Sequence, residues 1–571
     1  MMLRVVRRPP VPGGMLVPGM HPVLSRVYRA RGVRSAEDLD TSLERLTPVG
    51  TLESVEAAAE LLLAQRAGGR ILVVGDFDAD GATSSALMLR ALRAWGFEAD
   101  FLVPNRFEFG YGLTPEIVRV AAERAPSLIV TVDNGIASLA GVAEARERGI
   151  EVLITDHHLP GSELPAARVI VNPNLPGSRF ASRSLAGVGV AFYVLAALRR
   201  RLQTPALLGR DAPGVAEWLD LVALGTVADL VPLDGNNRVL VAQGIRRIRA
   251  GRCAAGIRAL LEAAGRPLAR VTSADLAFAV APRLNAAGRL DDMSIGIQCL
   301  LADAGEAAGL AARLDALNRE RREIEARMQA EALAAVRGLD EARTRAVQRS
   351  AVCLFDESWH QGVVGLVASR VKERVRRPVI AFAVAADGDL RGSARSVPGV
   401  HIRDVLAELD ARHPGLMGRF GGHAMAAGLT LPRARLDEFA ALFDAQVAGS
   451  TPRGALADAI ETDGELDVEE IALETAEALR AGGPWGQAFP EPCFDGVFTV
   501  RNARVVGERH VKMWVQGARD RAFDAIAFNL LDPQAGTPLP EGERRLVYRL
   551  DVNEYQGERR LQLLVDHVLT A

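Results

Sequence analysis

The sequence predicts an α/β protein of several domains: a doubly wound parallel-sheet domain, a long connecting helix, a second α/β domain and a C-terminal β-barrel. Three observations carry that prediction. Between Thr51 and Leu198 short apolar, β-branched runs alternate with helical stretches, the pattern of βαβ units. Residues 303–347 contain no proline and are rich in Ala, Leu, Arg and Glu. From about residue 455 the helical period gives way to strand-like runs.

Taken in order, residues 1–45 are rich in Pro, Gly and Arg and are expected to be a loosely structured lead-in. Residues 46–300 form the first α/β domain. Its predicted strands are Ile71–Val74, Ala99–Val103, Leu128–Val132, Val152–Thr155 and Val169–Val171. Its helices are Ser54–Arg66, Ala82–Trp95, Thr114–Arg124 and Leu139–Arg148, and residues 187–300 look mainly helical. Strands apolar on both faces suit a parallel sheet covered by helices. Residues 301–349 read as the connecting helix, with charge pairs spaced i,i+4 from Ala311 onward. Residues 350–450 repeat the α/β pattern with strand Ala351–Phe355, helix Gly362–Glu373 and strand Pro378–Val384. In residues 455–571 the runs Val497–Val506, Val511–Val515, Ala525–Phe528, Arg545–Val552 and Leu561–Leu564 suit a small barrel of the oligonucleotide-binding kind.

Composition narrows the function only by exclusion. The chain has 571 residues, too many for one core, with 49% apolar and 24% charged residues. No apolar run reaches membrane-spanning length, and the basic start lacks the apolar core of a signal peptide, so a cytoplasmic location and no membrane partner are expected. Cys253, Cys299, Cys353 and Cys493 are scattered and form no metal-ligand spacing. The net charge of −3 does not advertise a polyanion partner, but an acidic metal site can mask basic surface elsewhere.

The chemistry lies where the predicted strands end. Ile71–Gly75 runs into Asp76-Phe-Asp78-Ala-Asp80-Gly81, Leu128–Val132 into Asp133-Asn134-Gly135, and Val152–Thr155 into Asp156-His157-His158. Ligands of parallel sheets bind beyond the carboxyl ends of the strands. Alternate acids in a turn can aim oxygens at one centre, with Gly81 expected to let the chain reverse. Each motif has a plainer reading alone: the first as a helix cap, the second as a turn. Asp229, in an otherwise apolar run, adds a further acid that needs a partner or a metal. So many like charges in one crevice would raise each other's pKa unless cations neutralised them. A carboxylate and imidazole set suits two divalent ions, Mn²⁺ or Mg²⁺, and the reaction class implied is hydrolysis at phosphorus.

Those motifs, in that order, resemble the DHH phosphoesterase superfamily, named for the triplet Asp156-His157-His158. Gly75–Gly81, Gly225–Pro232, Ala281–Arg289, Ser358–Gly365, Arg391–Ser396, Gly421–Gly428 and Trp485–Pro490 narrow the match to the RecJ-type single-strand-specific exonucleases. The resemblance spans roughly residues 45–570. It implies a DHH domain, a linking helix, a DHHA1 substrate-binding domain and an OB-fold around a channel. It also implies metal-dependent 5′→3′ removal of nucleotides from single-stranded DNA with a 5′ end, in DNA repair and recombination. The metal ligands it implies are Asp76, Asp78, Asp80, Asp133, His157 and Asp229. His158 would face the scissile phosphate, with Asp133 counted beside it as catalytic. A single-strand-binding protein and a helicase are partners expected from the family, and a channel within one chain makes a monomer sufficient.

Residues expected to grip the substrate are Arg106, Arg283, Asn285, Arg289, His360, Ser393, Arg395 and His423. Arg106 follows a strand and could reach a phosphate bidentately. Arg283, Asn285 and Arg289 lie among small residues, where the backbone can approach DNA or another helix. Ser393 and Arg395 alternate along a strand and so share a face; by family resemblance they belong to the pocket for the 5′-terminal phosphate. Gly421-Gly422-His423, read as preceding a helical Ala-Met-Ala-Ala run, resembles an anion site at a helix N-terminus, and Trp359–Gly362 has similar geometry. Trp514 could stack bases, while Trp485 is expected in a core. Two alternatives stand beside the exonuclease: a DHH phosphoesterase for small nucleotides or short oligonucleotides, and a non-catalytic single-strand-binding scaffold.

Overall fold

The computed structural model describes residues 4–13, 16–103, 112–203, 211–341, 350–385, 387–450, 459–531, 538–555 and 558–570. The chain divides into two compact units. The larger comprises Val5–Asp315 and Ile460–Ala571, and the smaller Ala316–Ala459 with the first four residues.

In the larger unit, strands Arg70–Gly75, Glu98–Leu102, Leu128–Val132, Glu151–Thr155 and Val169–Val171 form one parallel sheet. In space the order is 98–102, 70–75, 128–132, 151–155, 169–171. The order reverses between the strands 70–75 and 128–132, which makes the gap beyond their ends the place where such sheets bind ligands. Alternation along each strand serves two layers. Leu72, Val74, Ile129, Val152 and Ile154 pack under helices Pro115–Ala122 and Leu139–Glu147. Ile71, Val73, Val130 and Leu153, on the opposite face, are also buried. Helices Ala79–Ala94, Gly187–Arg201 and Leu219–Ala228 pack against one another.

The lead-in is a correction to the sequence reading. Helix Pro22–Ala30 buries Val23, Leu24, Val27 and Tyr28. The Tyr28 hydroxyl donates to the Gly482 carbonyl at 2.6 Å, and its ring lies 5.7 Å from that of Trp485. Arg7 and Arg545 both pair with the buried Asp495. A Pro- and Arg-rich segment is thus ordered by tertiary ion pairs and one apolar helix face, which composition does not reveal. Trp485 stacks on Phe489 at 5.2 Å and donates its indole N–H to the Leu479 carbonyl, but it is only partly buried and lines a cavity rather than filling the core expected of it.

The barrel is closed by strands Phe494–Val506, His510–Gln516, Ala522–Ala527, Glu558–Thr570 and Gly542–Tyr555, in that spatial order. The pair 522–527 and 558–570 is parallel and the other neighbours are antiparallel.

The long helix Ala304–Glu341 begins in the larger unit and continues into the smaller. The smaller unit carries a sheet in the order Phe420–Gly422, Ala426–Leu431, Leu390–Arg395, Val379–Val384, Val352–Phe355. Helices Ile402–Arg412 and Leu436–Ser450 cover one side through Leu406, Phe439 and Phe443. Helix Val364–Val375 also packs on this sheet, against the strands 379–384 and 390–395.

Candidate metal centre

Register builds the site. Gly75 pairs with Val132, Val132 with Thr155 and Thr155 with Val171, so four strands end level. The next residues in each, Asp76, Asp133, Asp156 and Asn172, therefore stand along one crest. Two further backbone bonds extend it, from Asp133 N–H to the Thr155 carbonyl at 3.0 Å and from Asp156 N–H to the Val171 carbonyl at 3.1 Å.

Each acid is fixed by local structure. Asp78 caps helix Ala79–Ala94, accepting the N–H groups of Asp80 and Gly81 at 3.0 Å each. The cap reading of this motif is thus realised, and the carboxylate keeps lone pairs for a cation. Asp80 sits in the first turn of that helix, and its two oxygens accept the N–H groups of Gly187 and Val188 at 2.6 and 2.9 Å. These amides start helix Gly187–Arg201, whose positive end favours a carboxylate. Gly81 does not reverse the chain. It is helical, and a Cβ there would lie 2.5 Å from the Asp76 carbonyl oxygen, so the absence of a side chain lets the loop fold back on the helix. Asp133 takes a left-handed φ of 62°, a strained conformation for a non-glycine residue.

His157 Nε2 lies 3.1 Å from Asp133 Oδ1 and 3.4 Å from Asp229 Oδ2. His158 Nδ1 lies 2.7 Å from Asp156 Oδ1. Three overlapping sets bring ligand atoms within 4.8 Å of one another: Asp76, Asp78 and Asp133; Asp80, His157 and Asp229; and Asp133, His157 and His158. All six metal-ligand candidates from the sequence therefore converge. The donor set fits hard divalent ions such as Mn²⁺ and Mg²⁺: carboxylate oxygens with one or two imidazoles, and a buried Asp133 Oδ1 that accepts no hydrogen bond.

The electrostatics point the same way. Burial pushes the Asp80 carboxyl up to about 7, the charge of Asp78 adds to this, and the Val188 and Gly187 amides oppose it. Burial, then the charges of Asp80 and Asp78, hold Asp133 and Asp229 well above the ordinary carboxylate range. Burial works against the charge of His158, but the hydrogen bond and charge of Asp156, with Asp229 and Asp76, raise it to about 9. Without cations these acids repel each other, as the sequence reading expected.

The substrate candidates fare differently. Arg106 lies outside the described residues. Arg283 is buried, donating to Asp315 at 2.9 Å and to the Ala279 carbonyl at 2.6 Å. Asn285 accepts the Ala79 N–H at 2.7 Å, and a Cβ on Gly288 would meet the Phe77 carbonyl oxygen at 1.8 Å. The small residues of helix Ala281–Leu290 thus bring its backbone against the acidic loop. Arg289 is half-buried on the same helix. In the smaller unit, Ser393 and Arg395 share a face of strand Leu390–Arg395, and Arg395 donates to Ser393 Oγ at 3.0 Å. A Cβ on Gly365, in the first turn of helix Val364–Val375, would lie 2.8 Å from Ser393 Oγ, so that helix start abuts both side chains. The loop before it holds His360, whose Nδ1 accepts the Gly362 N–H at 3.1 Å. The segment after His423 is not helical. Phe420–Gly422 and Ala426–Leu431 form a hairpin with His423 exposed in its turn, and Ala426 pairs with Arg395. The Ala-Met-Ala-Ala run looks helical by propensity, but Ala427, Leu429 and Leu431 give it a strand's buried alternation.

Sequence reasoning missed the residues that position the crest. Asp156 accepts the backbone N–H groups of His157, His158 and Ile136. Asn172 and Asn174 donate to the carbonyls of His158 and His157 at 2.9 and 2.6 Å. Gly187 leaves the room that Asp133 fills, since a Cβ there would lie 2.7 Å from Asp133 Oδ1. The signal that could have found them was Asn172-Pro-Asn174, which follows a strand just as the acidic motifs do.

A switch-point crest of acids and paired histidines, on a chain that also carries a second α/β unit and a closed barrel, defines a DHH-type protein. The model of the DHH family, N-terminal domain, matches residues 70–226, that of the DHHA1 domain residues 348–449, and that of the RecJ OB domain residues 462–567. The single-stranded-DNA-specific exonuclease RecJ of Dickeya dadantii is 52% identical, over 99% of this chain and 98% of that protein. The same-named protein of Escherichia coli is 52% identical, over 96% of each. The crystal structure of RecJ in complex with Mn²⁺ from Thermus thermophilus superposes with a TM-score of 0.79 at 32% identity, covering 97% of this chain and 76% of that one. The corresponding Mg²⁺ complex gives 0.74 at 30% identity, covering 97% and 75%. The chain belongs to the RecJ family of single-stranded-DNA-specific exonucleases.

Proposed function

We propose that this protein degrades single-stranded DNA from its 5′ end by hydrolysing successive phosphodiester bonds with two divalent cations, Mn²⁺ or Mg²⁺. The observation that carries the reading is the level ending of four strands, which delivers acids and imidazoles to one crest. Asp76, Asp78 and Asp133 would hold one ion and Asp80, His157 and Asp229 the other. Bound there, the cations supply hydroxide at neutral pH and positive charge for the pentavalent transition state. His158, held and kept protonated by Asp156, faces the scissile phosphate and stabilises charge on the leaving oxygen. Asn285 and Gly288 hold the acidic loop against its neighbouring helix.

Polarity is assigned to the smaller unit. Ser393, Arg395, His360, His423 and the amides that start helix Val364–Val375 suit a terminal phosphate, which takes hydrogen bonds from guanidinium, hydroxyl and helix N-terminus alike. Arg289 is a further phosphate contact. On the barrel, Trp514 is half exposed in a cavity with Lys512, Arg521 and Arg560, a setting for base stacking. Among the described residues no helix is long and apolar enough to cross a membrane. The enzyme works in the cytoplasm, in DNA repair and recombination, with a helicase and a single-strand-binding protein exposing its substrate. One chain carries every named site residue, so a monomer suffices.

The test compares three DNAs in Mn²⁺: linear single strand, closed single-stranded circle and blunt duplex. Degradation of the linear strand alone is expected. Cutting of the circle would make the enzyme an endonuclease and overturn the reading.

A further inference from the structure

The acids of the crest are not all placed by the same means. Asp76, Asp133 and Asp156 follow from strand register, and Asp78 and Asp80 from the amides they accept. Asp229 stands just past the carboxyl end of helix Leu219–Ala228, where the helix dipole disfavours a carboxylate. Leu230 then takes a left-handed φ of 56° and is 58% exposed, so the turn from Leu230 to Pro232 takes its position from what grips its far end. There the Leu233 N–H donates to the Gln487 carbonyl at 2.8 Å. Leu233 is buried, and a Cβ on Gly486 would lie 2.8 Å from its Cδ1. Asn237 adds a second hold, donating its amide to the carbonyls of Pro232 and Ser184 at 2.9 and 2.7 Å.

Gln487 lies in the loop Trp485–Pro490, remote in sequence from every acid of the crest. Gly486 and Phe489 exchange backbone hydrogen bonds at 2.9 and 3.1 Å, closing a tight turn with Ala488 at a left-handed φ of 59°. A non-glycine residue keeps that conformation where its surroundings impose it, and such strain gathers at functional sites. Here the surroundings are a stack. The Trp485 and Phe489 rings lie 5.2 Å apart and 14° from parallel. The Arg31 guanidinium lies 5.4 Å from the indole and that of Arg238 4.3 Å from the phenyl ring. The Trp485 indole N–H donates to the Leu479 carbonyl at 2.9 Å, and the Ser273 hydroxyl to the Trp485 carbonyl at 2.6 Å. Arg238 belongs to helix Gly235–Arg249, which starts directly after Asp234, so the stack reaches the segment after Asp229 a second time.

We propose that the loop Trp485–Pro490 positions Asp229: the Gln487 carbonyl, held in place by the Trp485–Phe489 stack, clasps Leu233 and so aims the Asp229 carboxylate at the cation it shares with Asp80 and His157. Trp485 and Gly486 are positioning residues, acting through Leu233 and not on the cation itself. The inference rests on the two-cation reading and goes beyond it, because it ties one cation site to this loop and not the other. Asp76, Asp78 and Asp133 take their places from strand ends and the cap of helix Ala79–Ala94, so their site is independent of the clasp.

The test titrates Mn²⁺ into the full chain by calorimetry and compares Gly486→Ala, Trp485→Ala and Trp485→Phe. The new methyl of Gly486→Ala presses on Leu233 from an exposed turn, and Trp485 is only partly buried, so the fold should persist. The unsubstituted chain should bind two ions. In Gly486→Ala and Trp485→Ala one of the two should bind about 10- to 100-fold more weakly, as when a residue supporting a metal ligand is lost, with the other unchanged. Trp485→Phe keeps the ring stack and should bind both as the parent does. With two equivalents of Mn²⁺, the electron paramagnetic resonance signal of a coupled pair in the parent should give way to that of isolated ions in the two weakened variants. Exonuclease activity lost at low Mn²⁺ should return at high Mn²⁺, a rise in KM for the metal with little change in kcat. Two ions bound as in the parent by both Gly486→Ala and Trp485→Ala would overturn the proposal. So would equal weakening of both ions, the mark of a general loss of structure. A single ion on the unsubstituted chain would overturn the two-cation reading itself, and the proposal with it, so the two failures are told apart before any variant is compared.

Discussion

Oδ1 of Asp156 lies 2.7 Å from Nδ1 of His158 and also accepts the backbone N–H groups of His157 and His158. One buried carboxylate thus fixes the loop that carries both imidazoles and holds the charge on the second. Asp156→Asn keeps the shape and removes the charge. Activity should fall about 10- to 100-fold, as when a residue supporting a metal ligand is lost. The fall should be in kcat more than KM, and the alkaline limb of the kcat–pH profile should move toward neutral pH as the His158 pKa drops from about 9. An unchanged profile would remove His158 from the charged role given to it.

Metal removal should destabilise the protein more at alkaline than at acid pH. Asp80 has a folded pKa of about 7, above an unfolded value of about 4. Its contribution is fully present below that lower value and is lost as pH rises through 7. Asp133 and Asp229 shift in the same direction. His158 agrees in sign, since its stabilising charge is lost as pH rises through about 9. The melting-temperature loss on adding EDTA, followed by calorimetry at pH 5.5 and pH 8, should be larger at pH 8. Calorimetric Mn²⁺ binding at pH 7 should release protons.

Asp133→Asn should separate stability from function. Asparagine tolerates the left-handed φ of 62° and carries no charge into the crowded crest. In EDTA at pH 8 the variant should melt above the parent, while its exonuclease activity in Mn²⁺ falls about a thousandfold or more, the scale of several kcal/mol of transition-state stabilisation. A variant with parental activity would take Asp133 out of the metal centre.

Gly187→Ala tests the room around that same carboxylate. The new methyl would lie 2.6 Å from Asp133 Cβ and 2.7 Å from Oδ1. Overpacking of this kind costs about 1–3 kcal/mol. The fold should persist, with Mn²⁺ affinity reduced at least tenfold by titration calorimetry.

The elements most legible in the sequence were those with a strict period. The strands 71–74, 128–132 and 152–155 are apolar on both faces because both faces are covered, and this showed as unbroken β-branched runs. Their acidic ends were legible because a carboxylate at the end of a buried strand loses its hydration and needs a cation or a donor in return. What stayed hidden depended on partners far along the chain. The lead-in is ordered by Asp495 and Trp485, more than 450 residues away, and nothing local announces that. Arg283 and Asn285 looked like substrate contacts because an arginine beside small residues suits a phosphate. In the fold Arg283 also pairs with Asp315, and Asn285 accepts the Ala79 amide, partners that only folding brings close. The segment after His423 misled through composition, since alanine favours helix unless a neighbouring strand claims its backbone.

In the proposed function one crest of acids and histidines removes nucleotides from the 5′ end of a single strand. This is tested most directly by a time course on single-stranded DNA labelled at its 3′ end, with Mn²⁺, with EDTA and with Asp133→Asn. The expected result is a ladder of labelled strands shortening stepwise, absent in EDTA and in the variant. Release of the label as a mononucleotide in the first time points, with the strand otherwise intact, would show attack from the other end and contradict it.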